Sequence, residues 1–144
     1  FWVELHRRSK GKKYDTKALQ YNFQLEHIMP QKWEENWSNV KYVDKDYKKL
    51  PSNEKSKQMI NEKISSIGNM TLLNGSLNKA VSNSGFREKI EGSKDKKGLK
   101  HFATLSITRE DIIENVYDRE RGWNEAEIAR REKILIDEII DIWG

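Results

Sequence analysis

The chain contains no cysteine, which excludes disulfides and every zinc site built on thiolates. Any metal it holds must sit on oxygen and imidazole, a ligand set that suits Mg²⁺ or Mn²⁺. No apolar run approaches the length that spans a bilayer, and the N-terminal residues Phe1 to Arg8 lack the pattern of a signal peptide. The default expectation is therefore a soluble, cytoplasmic protein with no membrane partner. A large excess of one charge is also missing. With 27 basic and 23 acidic residues the formal charge is +4 and the pI about 9.2, which permits binding to a polyanion without demanding it.

Charged residues make up 35% of the 144 positions and apolar residues another 35%, with five Trp, five Tyr and four Phe as packing anchors. That balance describes a folded, very polar chain of one domain with a single core. No internal repeat is evident. The chain also begins in mid-pattern and without Met, so it is expected to be a fragment of a longer protein.

Proline is scarce, and one of the two, Pro30, stands where it matters. The run Phe23-Gln24-Leu25-Glu26-His27-Ile28-Met29-Pro30-Gln31 alternates and then stops, because Pro30 offers no N–H to a ladder and biases Met29 towards an extended conformation. Neighbouring residues on a strand face opposite ways, so Glu26 and His27 can address one ligand only where that alternation is lost. About forty residues on, Ile67-Gly68-Asn69-Met70-Thr71-Leu72-Leu73-Asn74-Gly75-Ser76-Leu77-Asn78-Lys79 reads as a turn, a short strand over 70–73, a second turn and a helix opening with Ser76 as its cap.

The rest of the chain reads as mostly helix. Trp33 and Trp37, four apart, share a helical face and pack inward. Ser52 caps a helix with Met59, Ile60 and Ile64 inward, and Phe86 and Ile90 bury one face of another. Residues 92–98 form a lysine-bearing loop, and Arg7, Arg8, Lys10, Lys12 and Lys13 form a basic linker. Thr108 with Asp111 nearly completes a capping box for a helix towards Tyr117. Asn124 with Glu127 completes one, opening a helix with Ile128, Leu135, Ile139, Ile142 and Trp143 inward and Arg131 on or near that stripe.

Glu-His ending a first strand, Ile-x-Asn opening a second, and another Asn nine positions further on resemble the ββα-metal (His-Me finger) nucleases of the HNH type. Glu-His-Ile-x-Pro-Gln, Ile-Gly-Asn-x-Thr-Leu-Leu, Leu-Asn-x-x-x-Ser-Asn-x-x-Phe and a C-terminal Trp…Ile-x-x-Arg…Leu…Ile-Trp are more specific. They resemble the C-terminal nuclease domain of GmrSD-type, modification-dependent restriction enzymes, over Leu25 to Trp143.

The resemblance implies an α+β, mostly helical fold around a ββα-metal core, one HNH domain over 1–144. It also implies a DNA endonuclease or nickase for phage defence, with an NTPase or modification-sensing part preceding it in the whole protein. It assigns His27 as general base, a role suited to a side chain that is largely neutral near pH 7. Glu26 and Asn78 would hold one Mg²⁺ or Mn²⁺, with Asn74 and Asn83 as alternatives to Asn78. Asn69 would tie the strand-connecting loop to the site, and Lys79, Lys89 and Arg131 would meet phosphates. Many family members have Asp where this chain has Glu26, so contact with the ion is direct or through water. The competing expectation is a catalytically silent DNA-binding or protein-docking module on the same fold.

Overall fold

The computed structural model describes residues 1–10, 22–37, 44, 46, 48–51 and 54–144. Ser52, Lys12 and Lys13, named above as a cap and as part of a basic linker, lie outside them. The architecture is α+β and mostly helical: α1 (Trp2–Lys10), β1 (Gln24–His27), α2 (Trp33–Asn36), α3 (Glu54–Ile64), β2 (Met70–Leu73), α4 (Lys79–Ser82), α5 (Phe86–Glu91), β3 (Gly92–Ser93), β4 (Lys96–Lys97), α6 (Leu99–Phe102), α7 (Ser106–Thr108), a π-helix (Arg109–Tyr117) and α8 (Glu125–Trp143). β1 and β2 pair antiparallel, with Gln24 opposite Leu73 and His27 opposite Met70.

The main core gathers Ile28, Met29, Trp33, Trp37, Ile60, Ile64, Leu73, Val81, Ile90, Trp123 and Ile128 from segments spread along the sequence. Ser56, Ile60 and Ile64 recur every fourth residue, so this stripe of α3 is buried and Met59, off the stripe, is exposed. The expectation of an inward Met59 is corrected for that reason. Trp143 is also exposed, edge-on to Trp2 at 6.3 Å, because the last turn of α8 runs past the core.

A 3₁₀ turn over Ile67–Asn69 leads into β2, and α8 packs along it. Only glycine fits at its centre. A Cβ on Gly68 would stand 2.1 Å from the Ile128 carbonyl oxygen. The turn can therefore lie directly on the helix.

Several local signals were resolved differently by tertiary contacts. Asn78, not Ser76, caps α4, its side-chain oxygen accepting from the Ala80 N–H at 3.0 Å. Asparagine serves there as well as serine, and the extra two residues let Leu77 turn into the core. Residues 92–97 are a hairpin rather than an open loop. Thr108 does not cap a helix; its hydroxyl meets that of Thr71, and the segment after it is a π-helix, with the Asp118 N–H reaching back to the Ile113 carbonyl.

The cap for α7 comes from the far end of the sequence. Glu4, fully buried on α1, accepts from the Ser106 N–H (2.8 Å), the Ser106 hydroxyl (2.6 Å) and the Ile107 N–H (3.2 Å), and pairs with Arg8 Nε at 3.0 Å. Arg7 grips Asp111 and Glu138, each with two hydrogen bonds of 2.6–3.0 Å. The supposed linker arginines thus lock α1 onto the body. Burial alone would raise the Glu4 carboxyl, but the bonds from Ser106 and Arg8 outweigh it and hold the group below the usual 4.5. A carboxyl depressed on folding stabilises above its unfolded value, and that stabilisation is lost as the pH falls through the lower folded value. Glu4→Gln is expected to cost about 3 kcal/mol at pH 7. It should also flatten the fall in urea midpoint between pH 7 and pH 3 relative to wild type.

Candidate active site

β1 ends at His27 because the chain turns inward there. The Ile28 N–H donates to the Asn69 carbonyl at 2.8 Å, and Ile28 and Met29 are wholly buried. Asn69 fixes this turn with every polar atom of its side chain. Its Nδ2 donates to the carbonyls of Met29 (2.9 Å) and Ile64 (3.1 Å), and its Oδ1 accepts from the Met29 N–H (2.8 Å) and from Trp123 Nε1 (3.0 Å). The amide therefore joins the end of β1, the end of α3 and the loop before α8. It is buried behind the strand pair and does not face solvent.

The turn delivers Glu26 and His27 to a cleft of about 400 Å³, whose walls also include Pro30, Lys32, Leu77, Lys79, Ser82 and Asn83. Glu26 Oε1 accepts from the Ser82 hydroxyl at 2.7 Å and pairs with Lys89 Nζ at 3.0 Å. Glu26 Oε2 and both ring nitrogens of His27 have no hydrogen-bond partner among the described residues. One carboxylate oxygen and one imidazole are thus free to act on a bound molecule.

Lys79, the first residue of α4, lines the cleft, whereas Asn78, its cap, is not among the lining residues; both are exposed. The Asn78 side-chain oxygen spends one lone pair on its cap bond and keeps a second for a ligand. Asn83, at the other end of α4, lines the cleft itself, whereas Asn74 is outside it and donates its N–H to the Phe102 carbonyl. No group of three or more His, Asp or Glu side chains placed to hold a metal ion is found among the described residues. A hard cation here would rest on one carboxylate, one amide oxygen and water, which Mg²⁺ accepts.

Two expectations are corrected. Lys89 is fully buried, and its ammonium donates to the His27 carbonyl, to the Ser82 carbonyl (2.8 Å) and to Glu26, so no donor is left for DNA. Burial pulls its pKa down, while the Glu26 carboxylate pulls the other way. Arg131 is buried as well, donating to the carbonyls of Gly68 (3.0 Å), Met70 (2.6 Å) and Ile107 (2.9 Å). Burial pushes its guanidinium down to about 10 despite nearby Asp111. It braces the turn before β2 and cannot meet a phosphate. Sequence spacing held a clue to Lys89: Phe86, Lys89 and Ile90 fall at i, i+3 and i+4, one face of a short helix. Ser82 and Trp123, which also hold the site together, carried no such signal.

The model of one family, the C-terminal domain of GmrSD restriction endonucleases, matches residues 2–138. The chain belongs to this family. No curated protein and no solved structure gives a match. A GmrSD C-terminal domain is a nuclease module of a restriction endonuclease, and the cleft at the end of β1 is where this one brings an imidazole, without a hydrogen-bond partner among the described residues, beside a carboxylate.

Proposed function

We propose that this domain cuts DNA by metal-dependent hydrolysis of a phosphodiester, on a ββα-metal (His-Me finger, HNH) core formed by β1, β2 and α4. The observation that carries the reading is the cleft in which Glu26 and His27, adjacent in sequence, share one cavity with α4. His27 acts as general base, taking the proton of the attacking water on a ring nitrogen that no described side chain occupies. Glu26 through Oε2, with Asn78 by the family pattern or Asn83 by its place in the cleft, holds Mg²⁺ or Mn²⁺. Such an ion supplies charge neutralisation at the scissile phosphate and the departing 3′ oxygen. Lys79 and Lys32, at the rim, attract and position the flanking backbone. Asn69 stays out of the chemistry and keeps the end of β1 in place.

A catalytically silent DNA-binding or docking module is the second reading, and the Glu26–Lys89 ion pair favours it by occupying one carboxylate oxygen. Plasmid nicking or linearisation in Mg²⁺ or Mn²⁺ decides between them. Wild-type cleavage, lost with EDTA, supports the nuclease. DNA binding in Ca²⁺ with no cleavage in any divalent ion supports the silent module. In the same assay Asn78→Ala is expected to lower cleavage at least about tenfold through loss of a ligand, against about 1 kcal/mol of stability through loss of the cap. If Asn83→Ala loses activity and Asn78→Ala does not, the ligand is Asn83. Upstream NTPase or modification-sensing parts of the whole protein belong to the same proposal.

A further inference from the structure

Beside the cleft, Lys89 is charged, wholly buried and saturated with partners. An ammonium has three N–H donors, and each one here has its own acceptor: the Glu26 carboxylate, the His27 carbonyl and the Ser82 carbonyl. A lysine in such a place costs several kcal/mol of desolvation unless it is fully paired. Its position is also specific. The same nitrogen ties the last residue of β1, the last residue of α4 and the acidic side chain of the cleft, from a helix that itself contributes nothing to the cleft walls.

Two consequences follow for the cleft. With Lys89 Nζ at 3.0 Å and the Ser82 hydroxyl at 2.7 Å on the same oxygen, Glu26 is held so that only Oε2 is open. The charge balance is the second. Among the described residues around the cleft a single carboxylate, Glu26, faces the ammonium groups of Lys32, Lys79 and Lys89. Carboxylate charge is what draws a divalent cation to a protein site, and here it is already neutralised from behind. A phosphate arriving in the cleft restores the missing negative charge.

We propose that Lys89 is a positioning residue, an internal counter-ion that fixes Glu26 with one oxygen open and leaves the cleft without net negative charge, so that a divalent cation binds appreciably only together with a DNA phosphate. This rests on the nuclease reading of the cleft and adds an order to it: the polyanion binds without metal, and metal and DNA then strengthen each other. Linkage makes the effect reciprocal, so the factor by which DNA raises cation affinity equals the factor by which the cation raises DNA affinity.

The test uses the whole chain and Ca²⁺, so that binding is read without turnover. Calorimetry of Ca²⁺ into free protein is expected to show no saturable heat below the millimolar range. Fluorescence anisotropy with a short labelled duplex is expected to show binding in EDTA that tightens about 10- to 100-fold in Ca²⁺, the ordinary span of coupling between sites. Lys89→Met unpairs Glu26 and is expected to raise the Ca²⁺ affinity of the free protein at least about tenfold while lowering cleavage in Mg²⁺. A merely structural lysine would lower activity with no gain in cation affinity. Saturable micromolar Ca²⁺ binding to wild type without DNA would overturn the proposal, as would a folded Lys89→Met protein with unchanged cation affinity. Where Lys89→Met alone does not fold, the pair Glu26→Gln with Lys89→Met removes both charges and is expected to recover the lost melting temperature; failure to recover it counts against the counter-ion role. The wild-type titrations stand apart from these variants. They are also independent of cleavage, so a protein that couples cation to DNA yet never cuts would remove the nuclease reading and leave the counter-ion in place.

Discussion

Replacing His27 by alanine is expected to lower single-turnover cleavage by about 10²- to 10⁴-fold, the usual worth of a positioned general base. The side chain is half-buried on the last residue of β1 and its ring holds up nothing else, since no described residue is hydrogen-bonded to it. The main chain of His27 does the structural work through its carbonyl, which Lys89 grips, and that bond survives the substitution. Stability should therefore change by well under 1 kcal/mol while the rate collapses, and duplex binding in Ca²⁺ should be retained. Quenched-flow cleavage of a labelled duplex, with thermal melting as the fold control, separates the two effects. Equal rates for His27→Ala and wild type would strip His27 of its role.

The largest effect on stability is expected at Asn69. Alanine there strands the Met29 N–H, the Trp123 indole N–H and the carbonyls of Met29 and Ile64, all buried. An unpaired buried polar group costs about 1–3 kcal/mol. Even with partial relaxation, Asn69→Ala should lose at least about 3 kcal/mol, or roughly 10 °C in melting temperature for a chain of this size. Asn69→Asp is expected to be no better, because a carboxylate can accept but cannot donate to the two carbonyls. Asn74→Ala, an exposed asparagine of the same segment, should stay within about 0.5 kcal/mol of wild type. A stable, folded Asn69→Ala protein would mean that the turn after β1 is held by other means. Activity would fall with stability in the expected case, since Glu26 and His27 are aimed by that turn.

The strand pair, the inward tryptophans and the capped start of α8 were all legible in the sequence, because each rests on local chemistry: Pro30 ending β1, Trp33 and Trp37 four apart, Asn124 capping through its own side chain. The tie between Asn69 and the turn after Glu26 and His27 was expected for a different reason, the match of their spacing to a known family; Asn78, expected beside them, is not among the residues that line their cleft. What the sequence concealed was the use of charge. Lys89 and Arg131 look like phosphate contacts when only sign is considered. Their burial depends on which way a short helix and a long one are turned, which long-range packing decides. The π-helix and the capping of α7 by Glu4 were hidden likewise. One depends on an extra residue per turn, the other on a partner more than a hundred positions away.

The indole of Trp123 and the guanidinium of Arg131 reach back 54 and 61 residues to seat the segment that opens β2. A nascent chain that has exposed Glu26 and His27 but not yet these late residues lacks the contacts that seat the turn between α3 and β2. The order of synthesis thus builds in a delay: the strand pair is made early, and the turn that aims its first strand is fixed only after Trp123 and Arg131 have emerged.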